Sequence, residues 1–358
     1  MTARIFCPLV LAASVFAPCF FARAAADLPR LRVHESGRLL EQADGRPFFW
    51  LGDTAWELLH RLTREQIQAY LDKRADQRFN VIQVVALPEI NGLTSPNRYG
   101  DVPLVDVDPA TPNERWFELL DFTVAEAARR GLYVAILPTW GSYAVREEPV
   151  LFEHHFLFTP EKAASYGRWL GARYRDRANV IWVLGGDRAP DGYEATWRAM
   201  AEGITQGLAP HDPLITYHPR GPGSSAPRLH AEPWLDFNLI QSGHTLDVRP
   251  HEMIATDYAR TPAKPVINGE PAYEGMPIGF RVENGRFTHR DVRRNAYWSV
   301  FAGGAGITYG ANEVWMMWSE DIEPVSAKVP PPFLGAEVSW GQALERTGAT
   351  QMRHLRAR

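Results

Sequence analysis

Short apolar runs, dense in Val, Ile and Leu, recur along the chain, and each breaks off at glycine, proline or a polar residue. Phe49 to Leu51 stops at Gly52-Asp53-Thr54, Asn80 to Leu87 at a proline, and Leu132 to Leu137 at Pro138-Thr139-Trp140-Gly141. Asn179 to Leu184 ends in Gly185-Gly186-Asp187, and Pro265-Val266-Ile267 runs into Asn268-Gly269-Glu270-Pro271. Pro213 to His218, Asp236 to Ser242 and Gly306 to Tyr309 complete the set. Runs of this length, bounded by such breakers, read as buried strands.

The segments between them have helical punctuation. Thr63, with Gln66 three residues on, forms a capping-box pattern and opens a helix to about Arg78. Asn113 to Arg130 closes at Gly131, and Thr159-Pro160-Glu161 places proline at the first helical position of a segment ending near Tyr174. Further helices are expected over Tyr193 to Gly207, Pro250 to Arg260, Thr288 to Ala302 and Gly335 to Arg356. Ahead of them, Asp44-Gly45 supplies the turn of a small N-terminal β-hairpin between Leu31 and Phe49.

Strand alternating with helix implies a parallel sheet. About eight such units over roughly 300 residues fit a (β/α)8 TIM barrel better than an open doubly wound sheet. No G-x-G-x-x-G follows the first strand, which argues against a dinucleotide fold. The long irregular segments follow strands, and the helix-to-strand links are short, as in barrels whose active site lies at the strands' C-terminal ends.

Composition adds limits. The 358 residues are 45% hydrophobic and 22% charged, enough for one large core, and the net charge of -4 with no basic stripe makes nucleic acid a poor partner. Arg4, an apolar run from Ile5 to Phe21 and small residues at Ala22 to Ala26 read as a signal peptide over residues 1–25, with a single catalytic domain over 26–358. The expectation is a secreted or periplasmic protein with no stable membrane insertion after cleavage. Both cysteines, Cys7 and Cys19, lie in that leader, so the mature chain has neither disulfide nor thiol nucleophile.

The chemistry is expected at the strand ends. In a barrel, Asp187 closes the fourth strand and Glu270 the seventh, on opposite sides of the mouth. Two carboxylates flanking one bond are what glycoside hydrolysis needs, one to protonate the leaving oxygen and the other to attack or activate water. A strand-end aspartate taken alone also reads as a helix cap. Substrate-binding candidates follow from position: Asp53, Gln83, Trp140, His218, His244 and Trp315, with Trp318 as a further aromatic platform; the two histidines could also bond a catalytic carboxylate. Glu153-His154-His155 lacks the spacing of a zinc motif and no G-x-S-x-G appears, so neither metal nor any other cofactor is expected. Two other readings stay open: a non-catalytic carbohydrate-binding protein on the same scaffold, and a metal hydrolase using His218 and His244.

Several segments together resemble the apiosidase-like glycoside hydrolases, a family whose barrel domain was formerly of unknown function. They are Phe49-Trp50-Leu51-Gly52-Asp53-Thr54-Ala55-Trp56, Phe79-Asn80-Val81-Ile82-Gln83, Trp182-Val183-Leu184-Gly185-Gly186-Asp187, Asn268-Gly269-Glu270-Pro271 and Tyr297-Trp298-Ser299-Val300-Phe301-Ala302-Gly303-Gly304. The resemblance implies an aspartate acid/base after strand four, falling on Asp187, and a glutamate nucleophile after strand seven, falling on Glu270. It implies an oligosaccharide or polysaccharide substrate from the plant cell wall, in the family's case a pectic polysaccharide bearing apiose. Relatives commonly continue into a C-terminal β-sandwich, which is not expected in a sequence that ends at Arg358.

Overall fold

The computed structural model describes residues 28–146, 155–321 and 333–356. The signal-peptide segment, and Glu153 and His154 of the Glu-His-His stretch, lie outside the described residues. The chain begins with a small antiparallel sheet of β1 (Leu31–Val33), β2 (Leu40–Gln42) and β3 (Pro47–Phe48), one strand more than the expected hairpin. Gly45, in the β2–β3 turn, takes a positive φ of 86° that a side chain would resist.

The barrel strands are β4 (Trp50–Thr54), β5 (Val81–Val85), β6 (Tyr133–Leu137), β7 (Val180–Gly185), β8 (Ile215–His218), β10 (Asn238–Gln241), β11 (Val266–Glu270) and β12 (Gly306–Tyr309). A two-residue strand, β9 (Gly223–Ser224), pairs antiparallel with β10. The sheet order is β8-β7-β6-β5-β4-β12-β11-β10-β9, and the eight barrel strands are parallel. The (β/α)8 barrel closes where β8 meets β10. No ladder forms there: Asp236 N–H donates to Ile215 O at 2.9 Å, Ile215 N–H to Asp236 Oδ2 at 2.6 Å, and the Thr216 hydroxyl to Phe237 O at 2.6 Å.

A side chain thus does the work of a missing ladder bond, and it has a pH signature. Burial pushes the Asp236 carboxyl from 3.8 up to about 7, against the opposing pull of the Ile215 N–H and of Lys264. A carboxyl with a raised folded pKa stabilises below its unfolded value, and that contribution is lost as pH climbs through the folded one. Between about pH 4 and 7 this group therefore makes the fold less stable as pH rises. Asp236→Asn keeps the acceptor for Ile215 and removes the titration. The urea midpoint of the wild type should fall more between pH 5 and pH 8 than that of the variant; equal falls would refute the assignment.

Helices alternate with the strands: α1 (Leu58–Arg61), α2 (Arg64–Asp76), α3 (Glu114–Arg129), α4 (Pro160–Arg173), α5 (Glu194–Leu208), α6 (Ala226–Leu229), α7 (Pro250–Tyr258) and α8 (His289–Phe301). Thr63 and Gln66 form the expected capping box on α2, Asn113 caps α3, Thr159 caps α4, and Thr288 with Asp291 boxes α8. The single helix expected over Gly335 to Arg356 is instead broken. After α9 (Asn312–Trp315) come α10 (Trp340–Ala343) and α11 (Thr347–Met352). The break lets Arg346 ion-pair with buried Glu313 at 2.6 Å and lets the Gly348 N–H reach Glu274 Oε2 at 2.9 Å. Two buried carboxylates near the barrel rim thereby outweigh helical continuity. No helix among the described residues is long and apolar enough to cross a membrane.

Inside the barrel a polar chain spans four strands. Trp50 Nε1 donates to the Thr308 hydroxyl at 3.0 Å, that hydroxyl donates to Gln83 Oε1 at 3.1 Å, and Gln83 Nε2 donates to Gly269 O at 3.2 Å. All these groups are fully buried, and each is satisfied by a partner across the barrel. This layer forms the floor beneath the strand ends.

Candidate active site

Two local irregularities aim the two carboxylates. On β11, Val266 packs with Ile240 and Ile254 on the helix side, and the Asn268 amide donates to the Ser299 hydroxyl of α8 at 3.0 Å. Strict alternation would put Glu270 on that same outer face. The register slips instead: Ile240 pairs with Asn268, but Gln241 pairs with Glu270, so Gly269 is an extra residue. Such a bulge re-aims the side chain that follows it, and here it turns Glu270 into the barrel mouth beside Gln241. Only glycine fits, because a Cβ at position 269 would lie 2.4 Å from the Leu239 side chain.

The second irregularity ends β7. Gly185, Gly186 and Asp187 all take positive φ, at 84°, 123° and 56°. A Cβ on Gly185 would stand 2.4 Å from His218 O, so the tight approach of β7 to β8 requires glycine. Aspartate is among the few residues that tolerate the left-handed region. The turn leaves the Asp187 N–H donating to His218 Nδ1 at 3.2 Å, and 37% of the Asp187 side chain exposed at the rim.

His218 and His244 converge on Glu270. His244 Nε2 lies 3.1 Å from Glu270 Oε1, and His218 Nε2 lies 2.8 Å from Oε2. Because His218 Nδ1 accepts from the Asp187 N–H, its ring proton sits on Nε2, the nitrogen that stands 2.8 Å from the carboxylate. Trp56 packs edge-on against the His218 ring at 5.5 Å, and Tyr273 and Phe280 pack against His244 at 4.8 and 5.2 Å. These contacts fix both imidazoles.

The two carboxyls are pulled in opposite directions. Burial alone would raise Glu270, but the two imidazoles outweigh it and hold the group down to about 2. Burial raises Asp187, and the negative charge of Glu270 raises it further; His218, Arg188 and Gln241 oppose without reversing the direction. One carboxyl is thus kept ionised and the other is biased toward holding its proton. Carboxyls whose environments separate their proton affinities can divide acid and nucleophile roles between them.

Glu270 opens onto a cleft of about 280 Å³ lined also by Trp56, Glu89, Trp140, Gln241, His244, Tyr273 and Trp315 among others, and Asp187 stands beside that lining, within reach of Gln241. That is the small end of ligand-pocket sizes, suited to one or two sugar rings. Trp140 and Trp315 both line the wall of this cleft. Trp318 does not: it is half-buried against the core.

Two expected substrate contacts are corrected. Asp53 sits on the outer face of β4 and is fully buried; Arg74 Nε donates to it at 2.7 Å and the Tyr70 hydroxyl also donates to it, so it anchors α2 to the barrel. Its neighbours Trp50 and Gly52 take the inward face, which leaves Asp53 pointing away from the mouth. Gln83 does face inward, but both ends of its amide are spent in the barrel floor. Sequence reasoning also missed Glu57 and Glu89. Glu57 is fully buried and accepts from His60 at 2.8 Å and from the Ile90 N–H at 3.2 Å. Glu89 follows the second barrel strand past Pro88, a weaker form of the same strand-end signal. Among the described residues no group of three His, Asp or Glu side chains is arranged to hold a metal ion.

A parallel eight-stranded barrel with an acid-lined, aromatic-walled cleft at its C-terminal rim is the architecture of a TIM-barrel glycoside hydrolase, and solved relatives agree. A glycoside hydrolase that is 35% identical matches over 92% of this chain and 74% of its own, with a TM-score of 0.80. A glycoside hydrolase family 5 protein from Bacteroides vulgatus is 34% identical over 91% of this chain and 71% of its own, also at 0.80. A family 5 mannosidase from Rhizomucor miehei, in complex with mannosyl-fructose, shares the fold at 13% identity, 92% and 96% coverage and a TM-score of 0.62. None of the curated proteins matches the chain. Within that class, the model described as "Apiosidase-like, catalytic domain" matches residues 34–358, and the chain belongs to this apiosidase-like family of glycoside hydrolases.

Proposed function

We propose that this glycoside hydrolase is exported and cleaves a glycosidic bond in plant cell-wall polysaccharide, with an apiose-bearing pectic polysaccharide as the leading substrate, and that it retains the anomeric configuration. In this reading Glu270 attacks the anomeric carbon while Asp187 protonates the departing oxygen. Asp187 then takes a proton from the water that releases the glycosyl-enzyme. The observation that carries the reading is the opposed treatment of two carboxyls: paired imidazoles hold Glu270 ionised, and burial beside that charge biases Asp187 toward its protonated form. Family membership supports the substrate class, and the residue 1–25 pattern supports export.

The test is product analysis on a panel of pectic and hemicellulosic polysaccharides, with the anomer of the released sugar followed by NMR in the first minutes. The expected product is the anomer of the substrate. Inverted product would overturn retention. Binding of panel glycans with no sugar released from any of them would favour the non-catalytic carbohydrate-binding alternative. Export is checked by sequencing the N-terminus of the secreted protein, expected near Ala26.

A further inference from the structure

Glu89 is a third carboxyl on the cleft, and the two-carboxylate mechanism does not use it. Its backbone is held firmly. Tyr143 OH donates to Pro88 O at 2.7 Å, the Ile90 N–H donates to Glu57 Oε1 at 3.2 Å, and the Asn91 N–H donates back to Glu89 O at 2.9 Å. The side chain is different. It lines the same cavity as Glu270, Trp140 and Gln241, yet among the described residues its carboxyl makes no hydrogen bond or ion pair. A rigidly mounted polar group that faces a ligand cavity and has no protein partner is placed to meet a ligand.

We propose that Glu89 contacts the substrate directly, bonding a pair of neighbouring hydroxyls on the sugar that sits between Asp187 and Glu270; this rests on the reading that this cleft holds the sugar. The charged groups around Glu89 fix how it bonds. Asp187 at the end of β7, Glu57 after β4 and Glu270 on β11 are acidic, and Arg188 is the opposing cation. Burial first, and then the neighbouring Asp187 carboxyl, push its own carboxyl well above the usual range, which favours the protonated form. A neutral carboxyl donates through its O–H and accepts through its carbonyl, which matches two adjacent hydroxyls, one accepting and one donating.

The discriminating pair of variants is Glu89→Gln and Glu89→Ala. An amide also offers one donating and one accepting end, whereas alanine offers neither. Binding is measured by calorimetry with free apiose, arabinose, galactose, rhamnose, mannose and galacturonate, which probes the site without turnover. For whichever sugar the wild type binds, Glu89→Ala should weaken binding by about tenfold, the worth of one to two hydrogen bonds. Glu89→Gln should stay within about threefold of wild type, and should lose the weakening that the wild type shows once pH is high enough to ionise Glu89. Unchanged binding in Glu89→Ala, binding as poor in Glu89→Gln as in Glu89→Ala, or no sugar bound by the wild type would each overturn the proposal. Circular dichroism excludes misfolding, and the glutamine variant preserves the shape if alanine does not fold. Because the readout is binding, a failed role for Asp187 or Glu270 in hydrolysis is scored separately, by turnover of variants at those two positions.

Discussion

Replacing Glu270 with glutamine is expected to lower turnover by roughly 10⁴-fold or more while leaving the fold and sugar binding largely intact. At about 1.36 kcal/mol per factor of ten, this corresponds to roughly 5.5 kcal/mol of lost transition-state stabilisation. The reason is local. His218 and His244 each present a ring nitrogen to one oxygen of Glu270, at 2.8 and 3.1 Å, and that arrangement has value only if the group is an anion. An amide keeps the volume and one acceptor but cannot form a bond to an anomeric carbon. The loss should appear in kcat and not in KM, because an amide of the same shape leaves the walls of the cleft unchanged. A Glu270→Gln enzyme within tenfold of the wild-type rate on its best polysaccharide would remove Glu270 from the nucleophile role.

Asp187→Asn is expected to cost roughly 10²- to 10⁴-fold, and the size of the loss should depend on the leaving group. Asparagine accepts the left-handed backbone that Asp187 occupies at φ 56°, so the turn and the N–H bond to His218 should survive. A polysaccharide leaving group needs the proton and should suffer the full loss. An aryl glycoside with an acidic phenol departs without help, so its first step should survive while release of the glycosyl-enzyme slows, giving a burst of phenol and then a slow steady rate. The pH profile carries the same information. The wild-type rate should fall as pH rises through the raised pKa of Asp187, and that basic limb should vanish in the variant. The acidic limb should begin only toward pH 2, where Glu270 takes up its proton. A uniform loss on every leaving group, with the basic limb unchanged, would assign the acid to another residue.

Much of the scaffold was legible because its signals are local. Thr63 with Gln66, Asn113, Thr159-Pro160 and Thr288 each satisfy helix-end N–H groups within a few residues, and all are found as caps. The eight strand ends were legible because an apolar run must stop where the chain leaves the sheet. Asp53 shows the limit of that logic. It ends a strand as Asp187 does, yet one step of alternation turns it outward into Arg74 and Tyr70, a pair contributed by α2. The broken C-terminal segment failed as a helix for a similar reason. Glu274 and Glu313, far away in sequence, claim Gly348 and Arg346.

The sequence alone therefore determined the alternation of the eight barrel strands with helices, because this follows from hydrophobic period and end-capping, which neighbouring residues settle among themselves, whereas the closing of the barrel rests on Asp236 and Thr216 reaching across between β8 and β10. It also marked Asp187 and Glu270 as standing at strand ends. Only the tertiary structure decided which strand-end carboxyls enter the cleft and which of them keep a proton. The first depends on a slipped register against β10 and a left-handed turn against β8, and the second on imidazoles and charges brought from other strands. Direction and proton affinity at a strand end are set by what lies across the barrel, and that partner is chosen when the chain folds.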